Sequence, residues 1–215
     1  EIFAYLDDAE PYLKELPIES AAKIVSEMDS DDAVDVLEEM DATTKHKIVG
    51  MLDKEASDDV RLLFSYDDDE IGSRMTTNFI MIHNHLTIRQ AMRELVEQAG
   101  ENDNISTIYV IDEEDKFYGA IDLKDLIIAR EYTDLEDIIS HSYPYVMDHE
   151  KVSDCIDKIR DYAEDSIPVL QENGTIAGII TSQDIVEAVD DEMGDDYAKL
   201  AGLTAEEDLN ETLPQ

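Results

Sequence analysis

The sequence offers very little thiol chemistry, because Cys155 is the one cysteine among 215 residues. An internal disulfide is therefore excluded, which fits a reducing compartment such as the cytosol. Val152, Ile156 and Ile159 recur around Cys155 at helical spacing. We therefore expect a buried structural thiol rather than a nucleophile.

Basic residues are also scarce, since 16 Lys and Arg stand against 55 Asp and Glu and the formal net charge is −39. Nucleic acids and anionic lipid surfaces are polyanions that are bound through basic patches. This balance argues against both as partners. An acidic surface can simply keep a protein soluble by self-repulsion, or it can collect hard divalent cations, which prefer carboxylate oxygen. Composition alone leaves these two functions open.

Long apolar runs and catalytic motifs are both missing. No stretch approaches the roughly 20 apolar residues that a membrane-spanning helix needs. We find no Gly-x-x-x-x-Gly-Lys loop, no His-Glu-x-x-His or Cys-x-x-Cys motif, and no pair of nucleophile and base. The sequence therefore predicts a protein that is not an enzyme. It starts at Glu1 without a signal-peptide pattern, and we interpret it as a fragment.

The first seventy residues repeat with a period of twelve. One set of apolar residues on this period is Leu16, Met28, Met40, Leu52 and Phe64, and a second set is Ile24, Val36, Ile48 and Val60. Twelve residues accommodate one short amphipathic helix and a turn. Stacked units of this kind bury a continuous core that no single unit could bury. We predict an acidic, all-α, superhelical domain over residues 1–66.

One of these units carries acidic residues opposite its apolar face. Asp31, Asp35 and Glu38 stand at i, i+4 and i+7, so they share one side of the predicted helix. Like charges at this spacing cost an isolated helix a few tenths of a kcal/mol per pair. The face is either a solvated surface or half of a cation site whose other half lies elsewhere in the chain.

A module then occurs twice. Residues 67–74 interrupt the repeat with charge and a glycine and are predicted to be a linker. After it, residues 107–127 align without a gap onto residues 166–186. Each copy reads as extended segment, helix, strand, turn, strand, helix, which predicts a small sheet covered by helices on one face. We place the copies at 75–137 and 138–192, with a connector over 193–215.

Two strand-to-helix elements carry a family resemblance. They are Gly119-Ala120-Ile121-Asp122-Leu123-Lys124-Asp125 and Gly178-Ile179-Ile180-Thr181-Ser182-Gln183-Asp184. They resemble the corresponding elements of CBS (cystathionine-β-synthase-type) domain pairs. Together with the acidic helical repeat and the junction Tyr66–Thr77, the whole chain resembles the cytoplasmic half of the MgtE family of magnesium transporters.

This resemblance implies an α+β architecture, with an all-α superhelical N-terminal domain, a tandem CBS pair of β-α-β-β-α units and a C-terminal connector helix. It also implies a homodimer formed through the CBS domains. The connector would lead to a transmembrane pore domain that is absent from this chain. The fragment would then lie at the cytoplasmic face of the cell membrane without binding lipid directly.

The resemblance further implies that Mg²⁺ binds between the helical domain and the CBS pair and beside the connector. The metal ligands it implies are Asp31 and Asp35 on the helical domain, Asp184 and Glu187 on the second CBS domain, and Glu192, Asp195 and Asp196 near the connector. Magnesium would bridge the two anionic surfaces and favour a compact form that closes the pore.

Two alternatives remain. In adenosine-binding CBS domains a Thr and an Asp commonly hold phosphate and ribose, and Thr181 and Asp184 match that pair, so ATP is the rival ligand. Asp122 stands in the first copy where a hydroxyl is usual, and its carboxylate would repel phosphate. A purely structural dimerisation unit is the other alternative, and it predicts that magnesium changes neither shape nor melting temperature.

Overall fold

The computed structural model describes residues 12–13, 16–155, 164–184 and 186. Four of the predicted metal ligands, Glu187, Glu192, Asp195 and Asp196, lie outside these residues, as does the predicted connector. Within the described part of the chain, no helix is long and apolar enough to cross a membrane.

The helical domain is built from short helices whose first residues are twelve positions apart. They are α1 (Ile18–Val25), α2 (Ser30–Glu38), α3 (Ala42–Val49) and α4 (Lys54–Leu63). Aspartates begin two of them, because Asp41 accepts hydrogen bonds from the amides of Thr43 and Thr44 and Asp53 accepts one from Ala56. Alternate helices contact each other, α1 with α3 and α2 with α4. The predicted helical repeat is confirmed.

Two three-stranded sheets follow, one in each module. The first contains β1 (Ile80–His83), β2 (Thr107–Ile111) and β3 (Phe117–Asp122), and the second contains β4 (Val146–Met147), β5 (Ser166–Leu170) and β6 (Ile176–Thr181). In each sheet the first strand is parallel to the second, which is antiparallel to the third. The register shifts at equivalent points, between Val110 and Ile111 and between Val169 and Leu170. The predicted duplication is confirmed.

Helices flank the strands in the predicted order. The first module has α5 (Ile88–Gln98) after β1 and α6 (Leu123–Ile128) after β3. In the second module residues 152–155 and 182–184 are helical at the equivalent points. Thr87 and Gln90 form a capping box at the start of α5, in which each side chain accepts from the other residue's backbone amide. The α+β architecture is therefore confirmed.

The residues that precede the first strand of each module pair with the sheet of the other module. Thr76 bridges Ile179 of β6, and Ser140 bridges Ala120 of β3. Both crossings pass directly over a glycine. A Cβ on Gly178 would lie 2.8 Å from the Thr76 carbonyl oxygen, and one on Gly119 would lie 2.7 Å from the Ser140 carbonyl oxygen. Thr76 thus adds a single antiparallel bridge to β6 of the second sheet.

The hydrophobic core follows the same connection. One cluster runs from the buried faces of the four helices through Tyr66, Ile71 and Met75 to Val146, Val169 and Ile180 of the second module. The first module has a core of its own. The helical domain and the second module therefore share one core, which fixes where the first turn of α2 lies relative to β6.

Candidate functional site

The linker is bound tightly to the second module. The backbone amides of Ile71 and Gly72 donate to the carbonyl oxygens of Glu150 and Asp148, both at 2.8 Å. The Tyr66 hydroxyl donates to Asp148 Oδ2 at 3.1 Å, and its ring lies against Gly72, where a Cβ would be only 2.6 Å away. Residues 66–76 therefore belong structurally to the second module rather than forming a loose connection.

Side chains of the next residues contact the helical domain. The Thr77 amide donates to Ser30 Oγ at 2.9 Å, and the Thr77 hydroxyl donates to Asp59 Oδ2 at 2.9 Å. The Asn78 amide group donates to Asp29 Oδ1. The carboxylates on this side of α2 and α4 are thus aimed at the residues that join the helical domain to the modules.

Asp31 occupies the most unusual position among the described carboxylates of α2. It stands in the first turn of the helix, where the helix dipole favours negative charge. Its Oδ1 is buried and has no hydrogen-bond partner in the described structure. Burial raises the pKa of the Asp31 carboxyl, an effect that the nearby Thr76 hydroxyl offsets in part and the charge of Asp29 adds to. A cation or a proton at this oxygen would relieve the unsatisfied charge.

Asp59 is a second carboxylate of this contact that is partly buried. Burial raises the pKa of its carboxyl, the Thr77 hydrogen bond opposes that change, and the charges of Asp58 and Asp53 reinforce it. Asp59 borders an open cleft of about 420 Å³ between the helical domain and the start of the first module. The acidic residues that line the cleft are Glu27, Asp29, Asp53, Glu55, Asp59 and Glu101, and none of its described lining residues is Lys or Arg.

Asp35, one turn after Asp31, is in a different environment. Its side chain is exposed and lines a second cleft of about 210 Å³. Glu38, Asp68 and Arg74 line the same cleft. The residues that share one face in the sequence are thus divided by the fold. Asp31 lies beside Thr76, just after the linker, while Asp35 and Glu38 face a cleft that Arg74 also lines.

Asp184 and Thr181 hold the start of the helical segment that follows β6. The Thr181 amide donates to Asp184 Oδ2 at 2.7 Å, and the Asp184 amide donates to Thr181 Oγ1 at 3.3 Å. In the first module Asp122 caps the start of α6 in a similar way, because it accepts a hydrogen bond from the Lys124 amide at 2.7 Å. Both residues of the predicted nucleotide pair thus have a local structural function.

The predicted ligands Asp31, Asp35 and Asp184 do not form one cluster in the described structure. Asp31 and Asp184 are connected only indirectly, through backbone pairing between the segment at Thr76 and β6. Among the described residues, no three His, Cys, Asp or Glu side chains are grouped so that they could hold a metal ion by themselves. Asp31 lies near Thr76, Thr76 pairs with Ile179, and β6 then runs to Thr181 and Asp184. The placement of Glu187, Glu192, Asp195 and Asp196 lies outside the described part.

Sequence reasoning missed Asp29, Asp59, Thr77 and Asn78 as residues of this contact. None of them breaks the twelve-residue period, and no short motif distinguishes them from other surface residues. Thr77 and Asn78 belong to a run of polar residues, 76–78, that comes shortly before β1, whereas Asp29 and Asp59 carry no comparable signal. The role of residues 76–78 is evident only in the folded structure, where α2 and α4 contact them.

Family models cover almost the whole described chain. The model of the MgtE intracellular N domain matches residues 1–69, and the CBS domain model matches residues 69–132 and 135–191. The magnesium transporter MgtE of Enterococcus faecalis is 35% identical over 71% of this chain and 34% of its own length. That of Bacillus subtilis is 32% identical over 84% of this chain and 40% of its own length. The chain thus spans little more than a third of these relatives.

Solved structures match over a larger share of their own length. The soluble part of a magnesium transporter superimposes with a TM-score of 0.83 at 33% identity, covering 89% of this chain and 76% of that one. The cytosolic domain of the Mg²⁺ channel MgtE in complex with ATP gives a TM-score of 0.73 at 26% identity, covering 86% and 82%. With an acidic helical domain docked on a CBS domain pair, this chain belongs to the MgtE family.

Proposed function

We propose that the chain is the magnesium-sensing regulatory region of a magnesium transporter. It lies at the cytosolic face of the cell membrane and controls a pore domain that the chain does not contain. The named relatives are magnesium transporters, and the solved relatives are their soluble or cytosolic parts. The region acts by binding and changing shape rather than by catalysis.

The observation that carries this proposal is the buried, unpartnered Oδ1 of Asp31 at the contact between the helical domain and the second module. Magnesium is usually held by one or two carboxylates and several waters, so it does not require a ready-made cluster of acidic residues. The residues present therefore fit the ion. Asp31 would supply one ligand beside Thr76. Burial raises the pKa of its carboxyl, and a bound cation would offset the cost of burying its charge.

The remaining proposed ligands are on α2, in the segment after β6 and near the connector. Asp35 lies one turn after Asp31 on α2, and Asp184 and Glu187 come from the segment after β6. Glu192, Asp195 and Asp196 would form the connector group. Asp31 and Asp35 on the helical domain and Asp184 and Glu187 on the second module would share ions that neither part binds well alone.

The proposed switch is electrostatic. At a net charge of −39 the surfaces of the helical domain and of the CBS pair repel each other unless cations lie between them. One site filled at about ten times its dissociation constant stabilises the bound form by roughly 1.4 kcal/mol. About four such sites supply the ~5.5 kcal/mol that moves a two-state equilibrium from 1:99 to 99:1, provided that they bind only the compact form. Several weak sites would therefore give a steep response.

The compact form would then act on the pore through the connector and through a homodimer of CBS pairs. The exposed apolar residues Ile127, Ile128 and Val186 suit such a dimer, and Ile127 and Val186 occupy equivalent positions in the two modules. Closure of the pore when ions are bound would give feedback on cytosolic magnesium.

Small-angle scattering tests the proposal directly. The radius of gyration of the chain should fall between EDTA and millimolar Mg²⁺, and Asp31→Asn and Asp184→Ala should each weaken this change. Asp58→Asn is the matched control, because Asp58 is exposed on α4. A wild-type radius that does not respond to magnesium would contradict the proposal.

A second ligand is favoured by one comparison, since the relative with a TM-score of 0.73 was solved in complex with ATP. In this chain Thr181 and Asp184 would be the nucleotide ligands, and binding would have to compete with their reciprocal hydrogen bonds. Calorimetry with ATP, in the presence and absence of Mg²⁺, separates the two ligands. Heat with ATP that is lost in Thr181→Val would support a nucleotide site.

A further inference from the structure

Residues 75–78, which we call the junction segment, contact all three parts of the protein. Toward the second module the contact is through the backbone. The Thr76 amide donates to the Ile179 carbonyl oxygen and the Ile179 amide donates to the Thr76 carbonyl oxygen, both at 2.9 Å. Met75 is buried in the core shared with the helical domain. The segment is therefore anchored to the second sheet independently of any side-chain charge.

Toward the helical domain the contact is through polar groups that meet carboxylates. Thr77 donates its amide to Ser30 and its hydroxyl to Asp59, and Asn78 donates its side-chain amide to Asp29. Hydrogen bonds to charged acceptors are stronger than those between neutral groups. These donors add no positive charge and need no ion.

Toward the first module Asn78 completes the junction. Its Oδ1 accepts from the Asp103 amide at 2.8 Å, and its carbonyl oxygen accepts from the Asn104 side chain at 2.9 Å. The Asn78 side chain thus uses both of its ends, one toward each domain. An alanine at this position would lose contacts with the helical domain and the first module at once.

The hydrogen bonds between residues 66–72 and the second module also limit where the helical domain can rotate. Tyr66, Ile71 and Gly72 are bonded to residues 148–150 of the second module. α4 ends at Leu63. Only residues 64–65 lie between the end of α4 and Tyr66, so a rigid movement of the helical domain that leaves the second module intact would bend the chain there. Such a movement would break the hydrogen bonds that Thr77 and Asn78 make with the helical domain, and it would separate the core that Met75 shares with that domain.

We propose that the junction segment is an ion-independent latch, in which Thr77 and Asn78 hold the helical domain against the CBS pair and residues 64–65 are the pivot. Magnesium acts on the same equilibrium and adds to the stability that these hydrogen bonds give the docked form. The latch does not rest on the proposed sensing function, since it would operate in a chain that binds no magnesium at all.

Distance measurements between spin labels test the latch in the full chain. Labels at Lys47→Cys on α3 and Arg93→Cys on α5 report the separation of the helical domain from the first module, and both positions are exposed. Cys155 can remain because it is buried. The measurement is made in EDTA on the wild-type background, on Thr77→Val with Asn78→Ala, on Thr77→Ser, and on Thr43→Val as an exposed threonine control.

In EDTA we expect a docked population in the wild-type background, in Thr77→Ser and in Thr43→Val. In Thr77→Val with Asn78→Ala the ratio of docked to undocked chains should fall at least about tenfold, which corresponds to ~1.4 kcal/mol. Magnesium should restore docking in that variant. An unchanged distance distribution in EDTA, or a wild-type chain that is wholly undocked there, would overturn the latch. The magnesium response of the wild-type chain tests the sensing function separately.

Discussion

Thr76 and Ile179 exchange two backbone hydrogen bonds of 2.9 Å, although Thr76 precedes the first strand of the first module and Ile179 lies in the last strand of the second. This pair places the junction segment on the sheet whose last strand ends at Thr181, shortly before Asp184. Thr76 also lies beside the Asp31 carboxyl. The first turn of α2 is therefore connected, through Thr76 and Ile179, to the residues that begin the segment after β6. The predictions below test parts of this arrangement.

The first prediction concerns Asp31. Since burial raises the pKa of its carboxyl, the ionised group lowers the stability of the folded state, and this loss grows as pH rises through the range between the ordinary and the raised pKa. Asp31→Asn removes the charge and nearly keeps the shape. In EDTA at neutral pH its melting temperature should therefore rise, with ~1 kcal/mol corresponding to about 2–4 °C.

The same variant should lose part of the stabilisation that magnesium gives to the wild-type chain. Thermal denaturation with and without millimolar Mg²⁺ measures both effects, and Asp58→Asn again serves as the exposed control. If Asp31→Asn melted lower than the wild type in EDTA and kept its full magnesium response, the carboxylate would be a structural group and not an ion ligand.

The second prediction concerns the glycine beneath the junction segment. A Cβ on Gly178 would lie 2.8 Å from the Thr76 carbonyl oxygen and 2.8 Å from the Met75 sulfur. Gly178→Ala should therefore push the junction segment off the sheet and destabilise the protein by about 1–3 kcal/mol. Urea denaturation measures the change.

Gly100→Ala is the matched control for Gly178→Ala, because the nearest atom that its Cβ would meet is 4.0 Å away. Gly100→Ala should leave the denaturation midpoint close to that of the wild type. Equal midpoints for the two variants would mean that the close approach at Gly178 relaxes without cost.

Much of this architecture can be predicted from the sequence, since the helices begin at Ile18, Ser30, Ala42 and Lys54 on the twelve-residue period, and the strands of the two modules follow the duplicated pattern. The pairing of Thr76 with Ile179 could not be predicted, because the segment crosses to the module that is more distant in sequence. Local patterns carry no information about such a crossing.

The same limit applies to the candidate site. Asp31 and Asp35 are equivalent by helical spacing, yet the junction segment lies over the first turn of α2, so Asp31 has a buried oxygen while Asp35 is exposed. Periodicity identifies a face, whereas burial within that face depends on what packs against it. The ligands beyond Val186 remain predictions from the family resemblance.

The third prediction concerns pH. His149 Nδ1 lies 3.1 Å from Glu70 Oε1, and this hydrogen bond raises the pKa of His149, with the charge of Asp148 adding to the effect. A raised histidine pKa stabilises the linker on the second module fully below the ordinary pKa of about 6.5. That stabilisation is lost as pH rises through the raised value.

NMR titration of the His149 ring measures this pKa, and Glu70→Gln should lower it toward the ordinary value. Glu172→Gln is the weaker control, because the charge of Glu172 is the smallest of the contributions to His149. If Glu70→Gln left the His149 titration unchanged, the ring would not be paired with the linker in solution.

The last prediction concerns the exposed apolar residues of the CBS pair. Ile127 and Val186 are each 60% exposed, and they occupy equivalent positions after β3 and β6. Two chains of charge −39 repel each other strongly, so a homodimer requires an apolar contact that excludes water. Light scattering should give the mass of two chains for the wild type at high ionic strength, where the repulsion is screened.

Ile127→Asp should convert this dimer into monomers, because it places a desolvated charge at the centre of the proposed contact. Val96→Asp is the matched control, since Val96 is 66% exposed but lies on α5, away from the equivalent pair. A dimer that survives Ile127→Asp would place the contact on another surface. A wild type that stays monomeric at high ionic strength would contradict the proposed homodimer.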